Sequence, residues 1–202
     1  MPFNDLCDEL RRCQLCRDRF AQTKTAHRPR PVVWFDPRAR VLIAGQAPGR
    51  LVHQSGQPFT DPSGQRLRAW LDLSPAQFYD QSRIAIVPMA FCFPGYSATG
   101  ADLPPPAICA RTWHGRVLPL LGNIQLRLVV GAHAIRAHLG AKSGVYQAVR
   151  DQIGADQGIF ALPHPSWRNT AWLKKNPWFE RDVLPPLRQR VRKVLENEPD
   201  AA

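Results

Sequence analysis

What most constrains this chain is an alternation. Four short apolar runs, at residues 40–44, 83–89, 126–131 and 158–162, are separated by stretches patterned as helices at 63–71, 107–121, 132–139 and 145–152, with another at 177–195. The run Val41-Leu42-Ile43-Ala44 contains no polar residue and is partly β-branched, which is how a strand buried on both faces reads. Strands that alternate with helices call for crossover connections, and crossovers build a parallel sheet with helices on both faces. The expected class is therefore α/β. At 202 residues a single domain spanning 1–202 is expected, large enough to bury a core without disulfides. Ahead of the first strand, residues 3–19 are patterned as one helix. Residues 22–38, rich in proline and basic side chains, read as a connecting arm.

The same alternation says where chemistry belongs. The first strand stops at Gly45-Gln46-Ala47-Pro48-Gly49, so the N–H groups of that turn lie at the carboxyl edge of the sheet, where α/β proteins bind ligands. The last strand runs into Leu162-Pro-His-Pro-Ser-Trp-Arg-Asn-Thr170, which leaves the sheet at the same edge. His164 stands there between two prolines, on a backbone that costs little entropy to hold. Beyond it, Trp167, Arg168, Trp172, Lys174, Lys175 and Trp178 interleave aromatic rings with cations, a pattern suited to stacked bases and phosphates. Contact is the expected role of Trp167 and Arg168, helix packing that of Trp172 and Trp178.

Charge agrees with a polyanionic partner: 27 Lys and Arg against 16 Asp and Glu leave a formal +11. No run approaches the ~18 apolar residues a membrane span needs. The opening MPFNDLCDELRRC has neither the basic nor the apolar region of a leader. The protein is expected to be soluble, cytoplasmic and monomeric. In a reducing compartment its five cysteines are not a disulfide framework. Cys13-x2-Cys16 with the distant Cys92 and Cys109 suits a four-thiolate site for either tetrahedral zinc or an iron–sulfur cluster, against the alternative that Cys92 is a plain buried strand residue. Cys7 has no assignment.

Three stretches together, AGQAPGR at 44–50, GQPFTDPSGQRLRAWL at 56–71 and HPSWRN at 164–169, resemble the first motif, the base-pocket segment and the final motif of the uracil-DNA glycosylase superfamily. With Cys13, Cys16, Cys92 and Cys109, the order and spacing are most similar to the iron–sulfur-containing branch typified by thermophile enzymes. The fold this resemblance implies is a three-layer α/β/α sandwich around a four-stranded parallel sheet. The implied cofactor is a structural 4Fe-4S cluster on those four cysteines, with zinc the lesser candidate. The implied partner is DNA containing uracil or abasic sites. His164 would stabilise the departing uracil anion, Phe59 would stack on the flipped base, and Gly45, Ala47 and Gly49 would bring backbone groups to its edge. Ser63 and Gly64 at a helix start, together with Ser166, would meet phosphates. Trp167 or Arg168 would fill the space the base vacates. Arg66 and Arg68 receive no role beyond a solvated helix face.

Two departures from the pattern bear on activity. Relatives carry a carboxylate or Asn in the first motif to orient water, where this chain has Gln46-Ala47. Asp61, His53 and Gln46 are the candidates for that task, and Asp61 also reads as a helix cap. Relatives read the base edge with an Asn ahead of the third cysteine, where this chain has IVPMAFC, which leaves backbone groups at Met89 to Phe91. Other deaminated bases, hypoxanthine or xanthine, are thereby open. The expected activity is hydrolysis of the N-glycosidic bond of uracil in DNA in base-excision repair. The alternative is a protein that binds uracil or abasic DNA with little turnover, through a tight or covalent complex.

Overall fold

The computed structural model describes residues 2–140, 144–154 and 158–196. Strands β1 (Val41–Ala44), β2 (Ile84–Ile86), β3 (Leu126–Val130) and β4 (Ile159–Leu162) form one all-parallel sheet in the order β2-β1-β3-β4. Every residue of β1 is buried, which accounts for a run with no polar position. The two faces of the sheet still go to different partners. Val41, Ile43, Ile84, Ile86, Leu126 and Leu128 share a core with Leu67, Trp70 and Leu71 of α4 (Pro62–Leu71) and with Leu187 and Val191 of α10 (Leu184–Glu196). Leu42, Ala85 and Val87 pack instead with Leu6 and Leu10 of α1 (Phe3–Arg11) and Trp113 and Val117 of α6 (Ala107–Val117). The two-residue period of a strand thus deals alternate side chains to two helical layers, and the result is the three-layer α/β/α sandwich.

Connectivity sets the place of the site. From β1 the chain passes through α3 (Arg50–Ser55), α4 and α5 (Pro75–Phe78) out to the edge strand β2. It then returns through α6 to β3, moves on through α7 (Ala132–Leu139) and α8 (Val145–Asp151) to β4 at the other edge, and continues through α9 (Thr170–Lys175) into α10. The winding direction reverses between β1 and β3. The segments leaving those two strands diverge, and a crevice opens between them at their carboxyl ends.

Several elements differ from their expected extents. The helix expected over 3–19 is two, α1 and α2 (Arg17–Ala21). The Cys13 N–H closes a short turn on the Leu10 carbonyl at 3.1 Å, and the Cys13–Cys16 pair occupies the break. Strand β2 ends at Ile86 because Pro88, lacking an N–H, cannot extend the ladder. The helix expected over 107–121 becomes 3₁₀ over Leu118–Leu120, where Pro119 removes another donor. The C-terminal helix begins with a π-helical stretch, Phe179–Val183, ahead of Pro185 and Pro186, whose missing N–H groups disfavour a regular α ladder there. The arm at 22–38 is tied to the sheet: Val32 N–H donates to the Phe91 carbonyl at 2.8 Å, and Trp34 forms an antiparallel bridge with Ile86. Among the described residues, no helix is long and apolar enough to cross a membrane.

Candidate active site at the carboxyl edge of the sheet

A cleft of about 610 Å³ opens over the crevice. It is lined by Gly45, Gln46, Ala47 and Gly49 from the turn after β1, by Phe59, Asp61 and Ser63 ahead of and within α4, and by His164, Ser166, Trp167 and Arg168 after β4. Segments more than a hundred residues apart meet because β1 and β4 end at the same edge.

His164 is held from several sides. Its Nδ1 accepts a hydrogen bond from the Ser166 N–H at 3.2 Å, and its carbonyl accepts one from the Asn169 side-chain amide at 2.7 Å. The ring lies against Gly131, where φ is +83° and an added Cβ would meet His164 Cβ and Cδ2 at 3.4 Å. Gly131 therefore supplies both the left-handed turn after β3 and a flat surface for the ring. Burial lowers the His164 pKa below the ordinary histidine value; Asp61 and Asp102 oppose this and Arg168 adds to it. A neutral imidazole whose Nδ1 accepts a hydrogen bond must carry its own proton on Nε2. His164 is thus an Nε2–H donor that carries no charge near neutral pH.

Phe59 is the most constrained residue of the cleft. Its φ is +55°, an uncommon conformation for a bulky side chain. Its carbonyl accepts hydrogen bonds from Arg68 Nη1 at 3.1 Å and the Tyr79 hydroxyl at 2.9 Å. The ring meets Phe78 edge to face at 5.9 Å. Gly64 is required beneath it, since a Cβ there would fall 1.8 Å from the Phe59 carbonyl oxygen. Gly45 and Gly49 are not required in this way: a Cβ on Gly45 would make an ordinary 3.6 Å contact with Phe59 Cζ, and one on Gly49 would meet nothing within 4 Å.

Asp61 lines the cleft and is also the N-cap of α4, accepting from the Gly64 N–H at 3.2 Å and the Ser63 hydroxyl at 2.6 Å. It is thus a helix cap and a cleft residue at once. The expected phosphate site at Ser63 and Gly64 is altered as a consequence, because the helix start and the Ser63 hydroxyl already serve the Asp61 carboxylate. On the rim, Trp167 is 73% exposed and the Arg168 guanidinium lies over its ring at 5.8 Å. Arg168 also pairs with Asp102 at 2.7 Å.

Three of the residues expected at the site are elsewhere. His53 does not line the cleft; its ring faces His27 at 5.1 Å and Phe93 at 6.0 Å, and burial, then His27 and Arg30, lower its pKa. Phe91 is wholly buried beneath the sheet with Phe35 and Trp113, and Met89 packs against the main core. Their backbone N–H groups are spent: Met89 N–H on the Gly45 carbonyl at 2.9 Å, and Phe91 N–H on Cys109 Sγ at 3.4 Å.

Other residues serve the site without having stood out in the sequence. Arg68 and Tyr79 fix Phe59, and Arg66 Nη1 donates to the Ser166 carbonyl at 2.9 Å, joining α4 to the His164 loop. A solvated helix face at Arg66 and Arg68 is therefore overturned. Asp102 sits where Tyr96 and Asp102 form an antiparallel bridge within residues 94–106, a stretch rich in glycine and proline whose lone acidic residue it is. Trp34, from the arm, lines the cleft beside β2. Trp172 and Trp178 pack on each other and on Phe179 and Tyr146, as expected of helix packing.

Away from the cleft, Cys13, Cys16, Cys92 and Cys109 line one small apolar cavity with Leu10, Phe20, Phe91 and Trp113. Among the described residues no group of three or more His, Cys, Asp or Glu is gathered as a metal site. The surroundings do suit sulfur ligands: the Phe91 N–H donates to Cys109, and Trp113 Nε1 is buried without a partner among the described residues. Burial pushes Cys109 up to about 11 and raises Cys92 further, so as free thiols both are protonated. Cys7 packs in the core of the α1–α6 layer.

A parallel α/β sandwich whose carboxyl-edge crevice carries a neutral histidine donor and a pinned aromatic ring defines the class: an α/β protein with a cleft suited to a planar ligand. The model of the uracil DNA glycosylase superfamily matches residues 32–188, and the chain belongs to that superfamily. The matched span covers the sheet and every cleft residue described above, while Cys13 and Cys16 precede it.

Proposed function

We propose that the protein is a DNA glycosylase that hydrolyses the N-glycosidic bond of uracil extruded from DNA. The observation that carries this is the His164 tautomer: a neutral Nε2–H donor at the end of β4, across the cleft from the pinned Phe59 ring. In the reaction the C1′–N1 bond breaks with both electrons going to the base. A donor aimed at the base oxygen stabilises the negative charge that develops, and one such donor is typically worth about 2.7–4 kcal/mol. Water then adds to C1′, and its proton goes to the base or to solvent. Unlike an imidazolium, a neutral donor adds no positive charge beside the cationic sugar. Asp61 supplies a nearby carboxylate to offset that cation, and the Gln46 side chain at the cleft wall orients the water. Trp167 fills the stack, and the +11 charge draws the duplex in.

The four cysteines would hold a 4Fe-4S cluster of structural role, joining α1 and α2 to the segment between Cys92 and Cys109. One observation favours the slower-turnover alternative: the Asp61 carboxylate is engaged with Ser63 and Gly64, and the turn after β1, Gly45–Gly49, carries no carboxylate. Base release from a uracil-containing oligonucleotide, run beside a denaturing gel for a stable adduct, separates the two. Multiple turnovers with a free protein band sink the binder. Absence of release, or a shifted band lost on His164→Ala, sinks the hydrolase.

A further inference from the structure

Arg66 takes no part in the chemistry described above and does not line the cleft, yet the loop that carries His164 is tied to it. Within that loop the contacts are local. The Ser166 N–H donates to His164 Nδ1 at 3.2 Å, the Asn169 side-chain amide to the His164 carbonyl at 2.7 Å, and the Asn169 N–H to the Ser166 carbonyl at 3.1 Å. With Pro163 and Pro165 on either side of the histidine, residues 163–169 make a stiff block. Stiffness keeps the block in shape but does not fix where it stands. A contact that does so arrives from α4: Arg66 Nη1 donates to the Ser166 carbonyl at 2.9 Å, and Nη2 donates to the Thr170 hydroxyl at the start of α9 at 3.4 Å. A planar guanidinium bridges two acceptors with little freedom left to either, and its charge strengthens the bond to the carbonyl.

The same helix holds the stacking ring. Gly64 leaves room for the Phe59 carbonyl, and Arg68 Nη1 donates to that carbonyl at 3.1 Å. α4 is itself set into the main core through Leu67, Trp70 and Leu71, and Arg188 of α10 donates to the Ala69 and Trp70 carbonyls near its end. Two residues of an α-helix stand about 200° apart around its axis, so Arg66 and Arg68 leave α4 in nearly opposite directions. One reaches the backbone of the histidine loop, the other the backbone of the stacking ring.

We propose that Arg66 is a positioning residue for base release: through the Ser166 carbonyl it fixes the aim of the His164 ring and keeps the ring proton on Nε2. α4 is then the common mount that sets the distance between the donor and the stacking ring. A donor acts only if it stands within hydrogen-bond reach of the oxygen on which charge develops. A displacement of about 1 Å, caused by a change remote from the chemistry, can cost about a hundredfold in rate. Affinity for DNA draws chiefly on phosphate contacts, and Arg66 stands outside the cleft, so the loss falls on the chemical step. The assignment rests on the base-releasing site proposed above.

Arg66→Met removes the donors and keeps an unbranched helix-forming side chain, whereas Arg66→Gln keeps a polar side chain too short to reach Ser166. Should one not fold, the other is read. Arg66→Lys retains a charged donor for the Ser166 carbonyl. Single-turnover release of uracil from a single-stranded oligonucleotide is expected to fall about a hundredfold in Arg66→Met and Arg66→Gln, with the dissociation constant for the same DNA within about threefold. Arg66→Lys should return the rate to within about tenfold of the parent. Nitrogen NMR of the His164 imidazole gives the second reading: the parent carries its proton on Nε2 near neutral pH, and a population with the proton on Nδ1 appears in Arg66→Met and Arg66→Gln but not in Arg66→Lys. The charges that face His164, on Asp61, Asp102 and Arg168, are the same in every variant, so a mere loss of stability would not move the proton. Release within about threefold of the parent, a loss of affinity that matches the loss of rate, or a proton that stays on Nε2 in both variants overturns the assignment. So does a proton on Nδ1 in the parent, which needs no variant to fold. Failure of the hydrolase reading looks different: a parent that releases no base while the proton moves in Arg66→Met removes the hydrolase and leaves the Arg66 contact, whereas release unchanged in Arg66→Met removes the Arg66 role alone.

Discussion

Gly64→Ala tests the construction of the cleft most directly, because it adds one methyl group where the structure has no room. The new Cβ would lie 1.8 Å from the Phe59 carbonyl oxygen, 2.5 Å from its carbonyl carbon and 2.7 Å from its Cβ. Two of these are backbone atoms, so no rotamer change relieves the clash. Restoring an ordinary 3.4 Å contact requires a displacement of about 1.6 Å. The Phe59 carbonyl cannot move that far and keep its hydrogen bonds to Arg68 and Tyr79. Those are worth about 1.5–3 kcal/mol for the charged donor and about 0.5–1.5 kcal/mol for the neutral one. Better helix propensity of Ala returns at most about 1 kcal/mol. The expected cost is therefore about 2 kcal/mol in urea unfolding. The ring, shifted by more than 1 Å, is expected to lower the single-turnover rate of base release about a hundredfold. Gly115→Ala is the control: it lies inside α6 with nothing within 4 Å of an added Cβ, and should stabilise by about 0.5–1 kcal/mol. Unfolding of Gly64→Ala within about 0.5 kcal/mol of the parent, with release within about twofold, would refute the steric reasoning.

Other perturbations probe separate parts of the molecule. Asp102→Asn releases Arg168 from its ion pair at a cost below about 1 kcal/mol in stability, since both side chains are substantially exposed. Affinity for DNA should rise, and the log–log salt slope should steepen by about one, which titrations across salt concentrations would show. Burial lowers the pKa of His53, His114, His133 and His164 and brings that of His138 down to about 4, from an ordinary 6.5. Between those values the unfolded chain binds more protons than the native one, so stability should fall as pH drops from about 6.5 towards 4 and hold above 6.5. Unfolding free energies that stay flat over pH 7 to 5, or a slope unchanged by His138→Gln, would contradict this. Cys109→Ser should abolish iron content and visible colour in anaerobically purified protein and lower its melting temperature, while Cys7→Ala, a core change, should leave the iron in place. Iron retained at full stoichiometry in Cys109→Ser would count against the four-cysteine site.

Sequence by itself determined the layered architecture. Apolar runs of strand length separated by helical periods leave a parallel, doubly covered sheet as the packing that buries them all, and β1 through β4 fall where those runs lie. It also marked the two loops that meet over the crevice, because Gly45–Gly49 and His164–Trp167 follow strands that must end at one edge. Asp61 could be read both as a cap and as a cleft residue, and it is both.

Tertiary structure alone decided which side chains enter the cleft. His53 lies within two turns of Gly49 in sequence, yet α3 carries it round to His27 and Phe93, since direction on a short helix depends on what the helix packs against. Arg66 and Arg68 carry charges that suit water, and their partners, the carbonyls of Ser166 and Phe59, sit on backbone whose course no local pattern records. The same holds for Trp34: its place depends on a bridge to Ile86, and its orphaned N–H exists only once the surrounding chain has closed over it. Periodicity encodes which residues are buried, because burial follows from hydrophobicity one residue at a time. Which polar atom faces which depends on contacts between segments distant in sequence, and only the assembled fold brings those segments together.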